Sequence, residues 1–219
     1  MVRVKICGIT DLQDALAAIE LGAHALGFNF YKKSSRYIEP TQAKSLVEAL
    51  PPFVSLVGVF VDEYSPERVM KIAQAIGISS VQLHGSESPD YVKKLGGLQV
   101  IKSFRVDDQF EVQQMAAYPI NTFLLDGYVP GQFGGSGKTC DWEVALDAKK
   151  QGRIILAGGL SAENIFEAVC RVEPYAVDIC SGVESQPGKK DLKKMQDLFR
   201  EVDRAHRGLD RALVEGGRI

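Results

Sequence analysis

VKICGITDLQDALAAIELGAHALGFNF, residues 4–30, contains two strand-like runs separated by a segment of helical period. Val4–Ile9 reads as a strand. In the segment that follows, Leu12, Ala15, Leu16 and Ile19 share one helical face, and Ala25–Phe30 reads as a second strand. This is a βα unit running into the next strand. Its first turn, CGITD, lacks the GxGxxG spacing of a dinucleotide-binding turn.

The same alternation recurs along the chain. Further strands are expected at 54–61, 80–83, 100–104, 122–125, 154–157 and 176–179. Helices are expected to start near Pro40 and Thr41, and at 65–77, 88–95, 109–117, 141–150, 162–171 and 191–206. Ser65 followed by Pro66 and Ser88 followed by Pro89 are helix-start signals. Near-continuous apolar strands alternating with helices imply a parallel sheet covered by helices. Eight such units fit a single closed (β/α)8 barrel better than an open doubly wound sheet, which is the alternative α/β reading. The barrel domain is expected to occupy 1–206. Residues 207–219 form a short extension or tail with no assigned role.

The 219 residues are 45% hydrophobic and 25% charged, with a net charge of −2. No basic excess suggests a nucleic-acid partner. No apolar run approaches the ~20 residues that span a bilayer, so no membrane partner is expected. Cys7, Cys140, Cys170 and Cys180 and the three histidines are scattered without metal-ligand spacing, and the expectation is no metal, free thiols and a reducing cytoplasm. Cys140, Cys170 and Cys180 read as packing.

In a parallel barrel the chemistry collects where strands end. Strand alternation turns Lys5 and Cys7 inward in the first strand, and Gln82 and His84 inward in the fourth. Asp126 closes the sixth strand and Asp178 lies in the eighth. Lys5 and Asp178 are expected to pair across the barrel floor, because either charge alone would be costly there. A neighbouring cation could hold Cys7 as a thiolate. Gly158 and Gly159 follow the seventh strand, with Ser161 expected to cap the next helix. Ser181 and Gly182 follow the eighth. Two such turns suit a phosphate, since glycine lets backbone amides approach an anion. Of the two long polar loops, YKKSSRY carries Arg36, which suits a carboxylate, while Lys32 and Lys33 read as solvated. DGYVPGQFGGSGKTCDW reads as a glycine-rich cover.

Taken together in this order, VKICGIT, LGFNFYKKSSRYI, VGVFVDE, VQLHGSE, LLDG, GGSGKTCDW, ILAGGL and VDICSGVES with PGKKD resemble the phosphoribosylanthranilate isomerase family, the TrpF type of tryptophan biosynthesis, from residue 2 to about 200. The resemblance implies a barrel that converts N-(5-phosphoribosyl)anthranilate to 1-(2-carboxyphenylamino)-1-deoxyribulose 5-phosphate without a cofactor, as a monomer or homodimer. It implies Cys7 as general base, Asp126 as general acid and Arg36 on the substrate carboxylate. It places the phosphate on the loops of Gly159 and Ser181–Gly182. Asn29 and Cys140 depart mildly from the family pattern. Two alternatives remain: a related phosphate-binding sugar isomerase, and an inactive barrel that only binds a phosphorylated ligand.

Overall fold

Three helices of the first half begin where the sequence supplies a donor-satisfying cap. Asp11 accepts from the Asp14 amide ahead of α1 (Leu12–Glu20), Ser65 from Arg68 ahead of α3 (Pro66–Ile76), and Ser88 from Tyr91 ahead of α4 (Pro89–Lys93). In α3 and α4 a proline occupies the first turn, where its missing N–H costs nothing. Gly77 ends α3 at φ +83°, a left-handed conformation that favours glycine.

The computed structural model describes residues 1–127 and 142–216. Its eight parallel strands are β1 (Arg3–Cys7), β2 (Ala25–Asn29), β3 (Ser55–Phe60), β4 (Ser80–Leu83), β5 (Gln99–Val106), β6 (Thr122–Gly127), β7 (Arg153–Ala157) and β8 (Ala176–Ile179). They pair in sequence order, and β8 returns to β1 to close a barrel. The remaining helices are α2 (Pro40–Ala49), α5 (Trp142–Ala148), α6 (Ile165–Val172) and α7 (Leu192–Gly216). The (β/α)8 architecture expected from the alternation is the one found.

Alternation along the strands sorts two apolar layers. Ile6, Leu26, Phe28, Leu83, Phe123, Leu125, Leu156 and Val177 face the helices in the main core. Leu124, Ile155, Ala157 and Ala176 form a separate small cluster in the barrel interior. Above that cluster the interior turns polar, with Lys5, Gln82, Asp126 and Asp178 all buried.

Several elements differ from expectation. Residues 109–117 do not form an α-helix; Val112–Ala117 is a 3-10 segment, closed by Tyr118 in extended geometry before Pro119. A residue preceding proline avoids helical backbone, which stops the turn there. Ser161 does not cap α6, because its hydroxyl bonds Glu163 and the helix starts four residues later, after Asn164. β5 runs two residues past the expected end, to Val106. The last helix continues without a break from Leu192 through 206 to Gly216. After β8 a 3-10 turn (Ser181–Val183) leads into an unexpected antiparallel ribbon of β9 (Glu184–Gln186) and β10 (Lys189–Lys190). The expected glycine-rich cover and Cys140 lie outside the described residues, apart from Asp126, Gly127 and Trp142.

Candidate active site

A cavity of about 410 Å3 opens at the C-terminal end of the strands. Cys7, Arg36, Gln82, His84, Asp126, Gly158, Gly159, Asp178 and Ser181 all line it. The sequence reading therefore brings nine of its residues to one mouth. Lys5 and Gly182 stand behind that wall.

Lys5 lies beneath Cys7, and its Nζ bonds Asp178 Oδ1 at 2.8 Å. The register pairs these residues directly across the β1–β8 seam. Burial alone would discharge Lys5, but the Asp178 charge and the Cys7 sulfur outweigh it and the ammonium is held above its usual range. Asp178 is pushed up to about 6 because burial outweighs the pull of Lys5.

Cys7 Sγ occupies space that a side chain at Gly27 would fill; a Cβ there would lie 2.7 Å from the sulfur. A hydrogen bond from Cys180 holds the Cys7 thiol well below the ordinary cysteine range. Burial opposes this, and the charges of Lys5 and Lys190 reinforce it. Cys180 is correspondingly pushed up, by the same bond and by burial. Lys190 donates to the carbonyls of Cys7 at 2.6 Å and Cys180 at 3.3 Å, and to Glu184 Oε1 at 3.0 Å.

Arg36 is set by its loop and by the ribbon. Asn29 Oδ1 accepts from Tyr31 N, and Asn29 Nδ2 donates to Ser34 Oγ. That hydroxyl in turn accepts from Arg36 N at 3.1 Å. The polar residue in β2 thus shapes the turn that carries the arginine. Glu184 takes the Nε edge of the guanidinium, at 2.9 Å from Nε and 2.6 Å from Nη2. Two Nη1 hydrogens and one on Nη2 remain, a planar fork suited to a second carboxylate. This pairing raises Arg36 and lowers Glu184, even though burial pushes the glutamate the other way.

Asp126 Oδ2 lies 3.1 Å from His84 Nε2, and His84 Nδ1 lies 2.9 Å from Gln82 Nε2. His84 sits on a braced loop. Lys102 Nζ, fully buried, donates to the carbonyls of Leu83, Gly85 and Ser103 and to Glu87 Oε2. Glu87 also accepts from the amides of Asp62 and Gly85.

Gly158 and Gly159 both take positive φ, +84° and +61°, and turn the backbone into the mouth. Gly182 instead packs on the Leu160 carbonyl, where a Cβ would approach to 2.0 Å. Its small size lets the turns after β7 and β8 meet as one surface.

Four contributors were not anticipated. Cys180 reads as packing in the sequence, yet it lines the mouth; it shares the alternation of Asp178 two residues earlier, and that parity is the available signal. Arg105 reaches the mouth because β5 is longer than expected, and its register partner is Asp126. Glu184 and Lys190 arrive on a ribbon whose short strands carry little pattern. Among the described residues, no group of three or more His, Cys, Asp or Glu could hold a metal ion. Among the same residues no helix is long and apolar enough to cross a membrane.

The model of the N-(5'phosphoribosyl)anthranilate (PRA) isomerase family matches residues 4–201. The chain belongs to that family. An N-(5'-phosphoribosyl)anthranilate isomerase from Trichlorobacter lovleyi is 48% identical over 206 residues, covering 94% of this chain and all of the relative. The crystal structure of phosphoribosyl anthranilate isomerase from Thermotoga maritima superposes with a TM-score of 0.86 at 44% identity, covering 93% of this chain and 99% of that one. Another phosphoribosyl anthranilate isomerase, solved in complex with reduced 1-(o-carboxyphenylamino)-1-deoxyribulose 5-phosphate, matches with a TM-score of 0.83 at 40% identity, over the same shares of the two chains. The PRA isomerase family thus accounts for nearly the whole barrel.

Proposed function

We propose that this chain isomerises N-(5'-phosphoribosyl)anthranilate to 1-(o-carboxyphenylamino)-1-deoxyribulose 5-phosphate, with Asp126 as general acid and Cys7 as general base. The observation that carries the assignment is one cavity with Cys7 on β1 and Asp126 on β6, bounded by the Arg36 fork and the glycine turns after β7 and β8.

The reaction is an Amadori rearrangement and needs a proton given and a proton taken. Asp126 donates to the ring oxygen of the ribose, the C1–O bond breaks, and the nitrogen lone pair forms a protonated Schiff base at C1. Cys7, as thiolate, removes the C2 proton to give an enolamine, which tautomerises to the ketone. The neighbouring Cys180 thiol and the Lys5 charge hold Cys7 well below the ordinary cysteine range and so favour its thiolate. The Arg36 fork takes the anthranilate carboxylate, and the Gly158–Gly159 and Ser181 turns take the phosphate at the other end, with Gly182 giving the second turn its fit. Two anionic grips fix the sugar between acid and base, so binding energy from remote groups orients the reacting carbons.

The test follows loss of the substrate's anthranilate fluorescence with freshly generated phosphoribosylanthranilate. The parent turns over, and Cys7→Ala and Asp126→Asn each lose about 10²–10⁴-fold in kcat, the range of a positioned acid or base. Both variants keep their affinity for the reduced product analogue. A folded parent without turnover sinks the activity, and an active variant sinks that residue's role.

A further inference from the structure

The Asp126 carboxyl group has two oxygens in different surroundings, and the difference is set by two residues to which the reaction as described gives no role. Oδ2 lies 3.1 Å from His84 Nε2. Oδ1 lies beside the Gly158 turn, where a Cβ on that glycine would approach it to 2.7 Å. The other nitrogen of His84, Nδ1, lies 2.9 Å from the Gln82 amide nitrogen. Gln82 is 1% exposed, and its Oε1 has no hydrogen-bond partner among the described residues.

An amide nitrogen only donates. Nδ1 facing it therefore presents its lone pair, and a neutral imidazole must then carry its hydrogen on Nε2. That hydrogen points at Asp126 Oδ2. A second proton on Oδ2 would confront it, so an acid proton on Asp126 belongs on Oδ1. The histidine backbone is pinned as well: His84 N donates to the Phe60 carbonyl at 2.8 Å, and Lys102 holds the carbonyls on either side of the residue.

We propose that Gln82 and His84 are positioning residues for the acid: Gln82 fixes His84 as its Nε2–H tautomer, and His84 occupies Asp126 Oδ2 so that Oδ1 alone carries and delivers the proton. This rests on Asp126 acting as the acid. The arrangement favours the transfer step itself. When Oδ1 gives its proton to the ring oxygen, Asp126 becomes a carboxylate and the bond from Nε2–H becomes charge-assisted, about twice as strong as a neutral one. The gain appears as the proton leaves and is absent before, which is the condition for raising kcat.

Other titratable and charged groups share the mouth with His84: Arg105 from β5, Asp178 from β8 and Cys7 from β1, with Lys5 behind them on Asp178. pH profiles are therefore compared between variants and not read from the parent alone.

The direct test is nitrogen-15 NMR of the full-length labelled chain, with the His84 signals assigned by their loss in His84→Gln. The expected spectrum shows Nδ1 without hydrogen and Nε2 with it. A hydrogen on Nδ1 overturns the proposal, whatever the activity. The kinetic arm uses His84→Asn, which withdraws the donor, and His84→Gln, whose amide nitrogen can replace Nε2–H. Asn should lower kcat by about 10–100-fold, the cost of a lost hydrogen bond to a charged group, with KM within about twofold. It should also move one limb of the kcat–pH profile, and Gln should recover most of the loss and the parent's limb. If Asn raises KM as much as it lowers kcat and leaves the profile in place, the histidine is merely structural and the proposal fails. If Asp126→Asn proves fully active, the acid assignment fails while the tautomer stands, so the two failures are distinguishable.

Discussion

Cys7 is buried at the head of β1, and an isolated buried thiol would resist ionisation. The hydrogen bond from Cys180 reverses that, against burial and with help from Lys5. The sign then follows. A thiol held low in the folded chain stays reactive as pH falls below about 8.5, the ordinary cysteine value, until its own lower value is reached. Cys170, which burial pushes up, needs alkali before it ionises. At pH 6.5, iodoacetamide should alkylate Cys7 well ahead of Cys170, as read by peptide mass spectrometry of the native chain. Cys180→Ala should shift the pH dependence of Cys7 labelling upward. Equal labelling of the two, or no shift, would remove the thiolate from the mechanism. Cys7, Lys5, Gln82 and His84 were legible because strand alternation assigns a face without coordinates. Cys180 and Arg105 obey the same rule, but each lies one residue past the expected end of its strand. Glu184 has no such signal: what makes it functional is the pairing with Arg36, 148 residues earlier in the chain.

Elements position the phosphate end of the mouth by backbone contact. The turns after β7 and β8 touch through Gly182 and the Leu160 carbonyl, and Gly158 lies against Gly127 N and Asp126 Oδ1. A methyl group on Gly158 would meet Gly127 N at 2.2 Å and would also strain a residue at φ +84°. Gly158→Ala should therefore weaken phosphate-end binding and disturb the acid together, raising KM and lowering kcat by about tenfold or more each, given a strain of ~1–3 kcal/mol for a non-glycine residue there. Gly182→Ala forces the two turns apart and should cost about 1–3 kcal/mol in urea unfolding, the usual penalty for overpacking. A variant at either position that matches the parent in both measurements would show that the turns have room to give. The turns of Gly158–Gly159 and Ser181–Gly182 were visible in the sequence. Their division of labour was not, since one faces the cavity and the other faces a carbonyl, and only the packing distinguishes them. The β9–β10 ribbon was missed for a related reason: strands of three and two residues are too short to show a period of two.

At the scale of the whole molecule, the count of eight βα units favours a closed barrel over an open sheet, but the contacts that close it leave no periodic signal. Closure is a contact between the first strand and the last, and here it also runs through Val2 N, which donates to His206 Nε2 at 2.9 Å. The seam's polar link is the buried pair of Lys5 and Asp178. Breaking a buried pair by removing one partner costs about 3–5 kcal/mol, whereas replacing both with apolar groups of similar volume is often close to neutral. Lys5→Met strands the Asp178 carboxylate, already pushed up to about 6 by burial. Without its cation that carboxyl rises further, so its burial penalty is largest at alkaline pH and is relieved as pH falls and a proton binds. Lys5→Met should thus lose about 3–5 kcal/mol in urea unfolding at pH 8 and less at pH 5. Lys5→Met with Asp178→Leu should lose less at pH 8 than the sum of the single changes, by more than the ~0.5 kcal/mol within which independent sites add. Additive losses that do not vary with pH would mean that the barrel closes on its backbone ladder and apolar layers alone, with the ion pair contributing only to the electrostatics beneath Cys7.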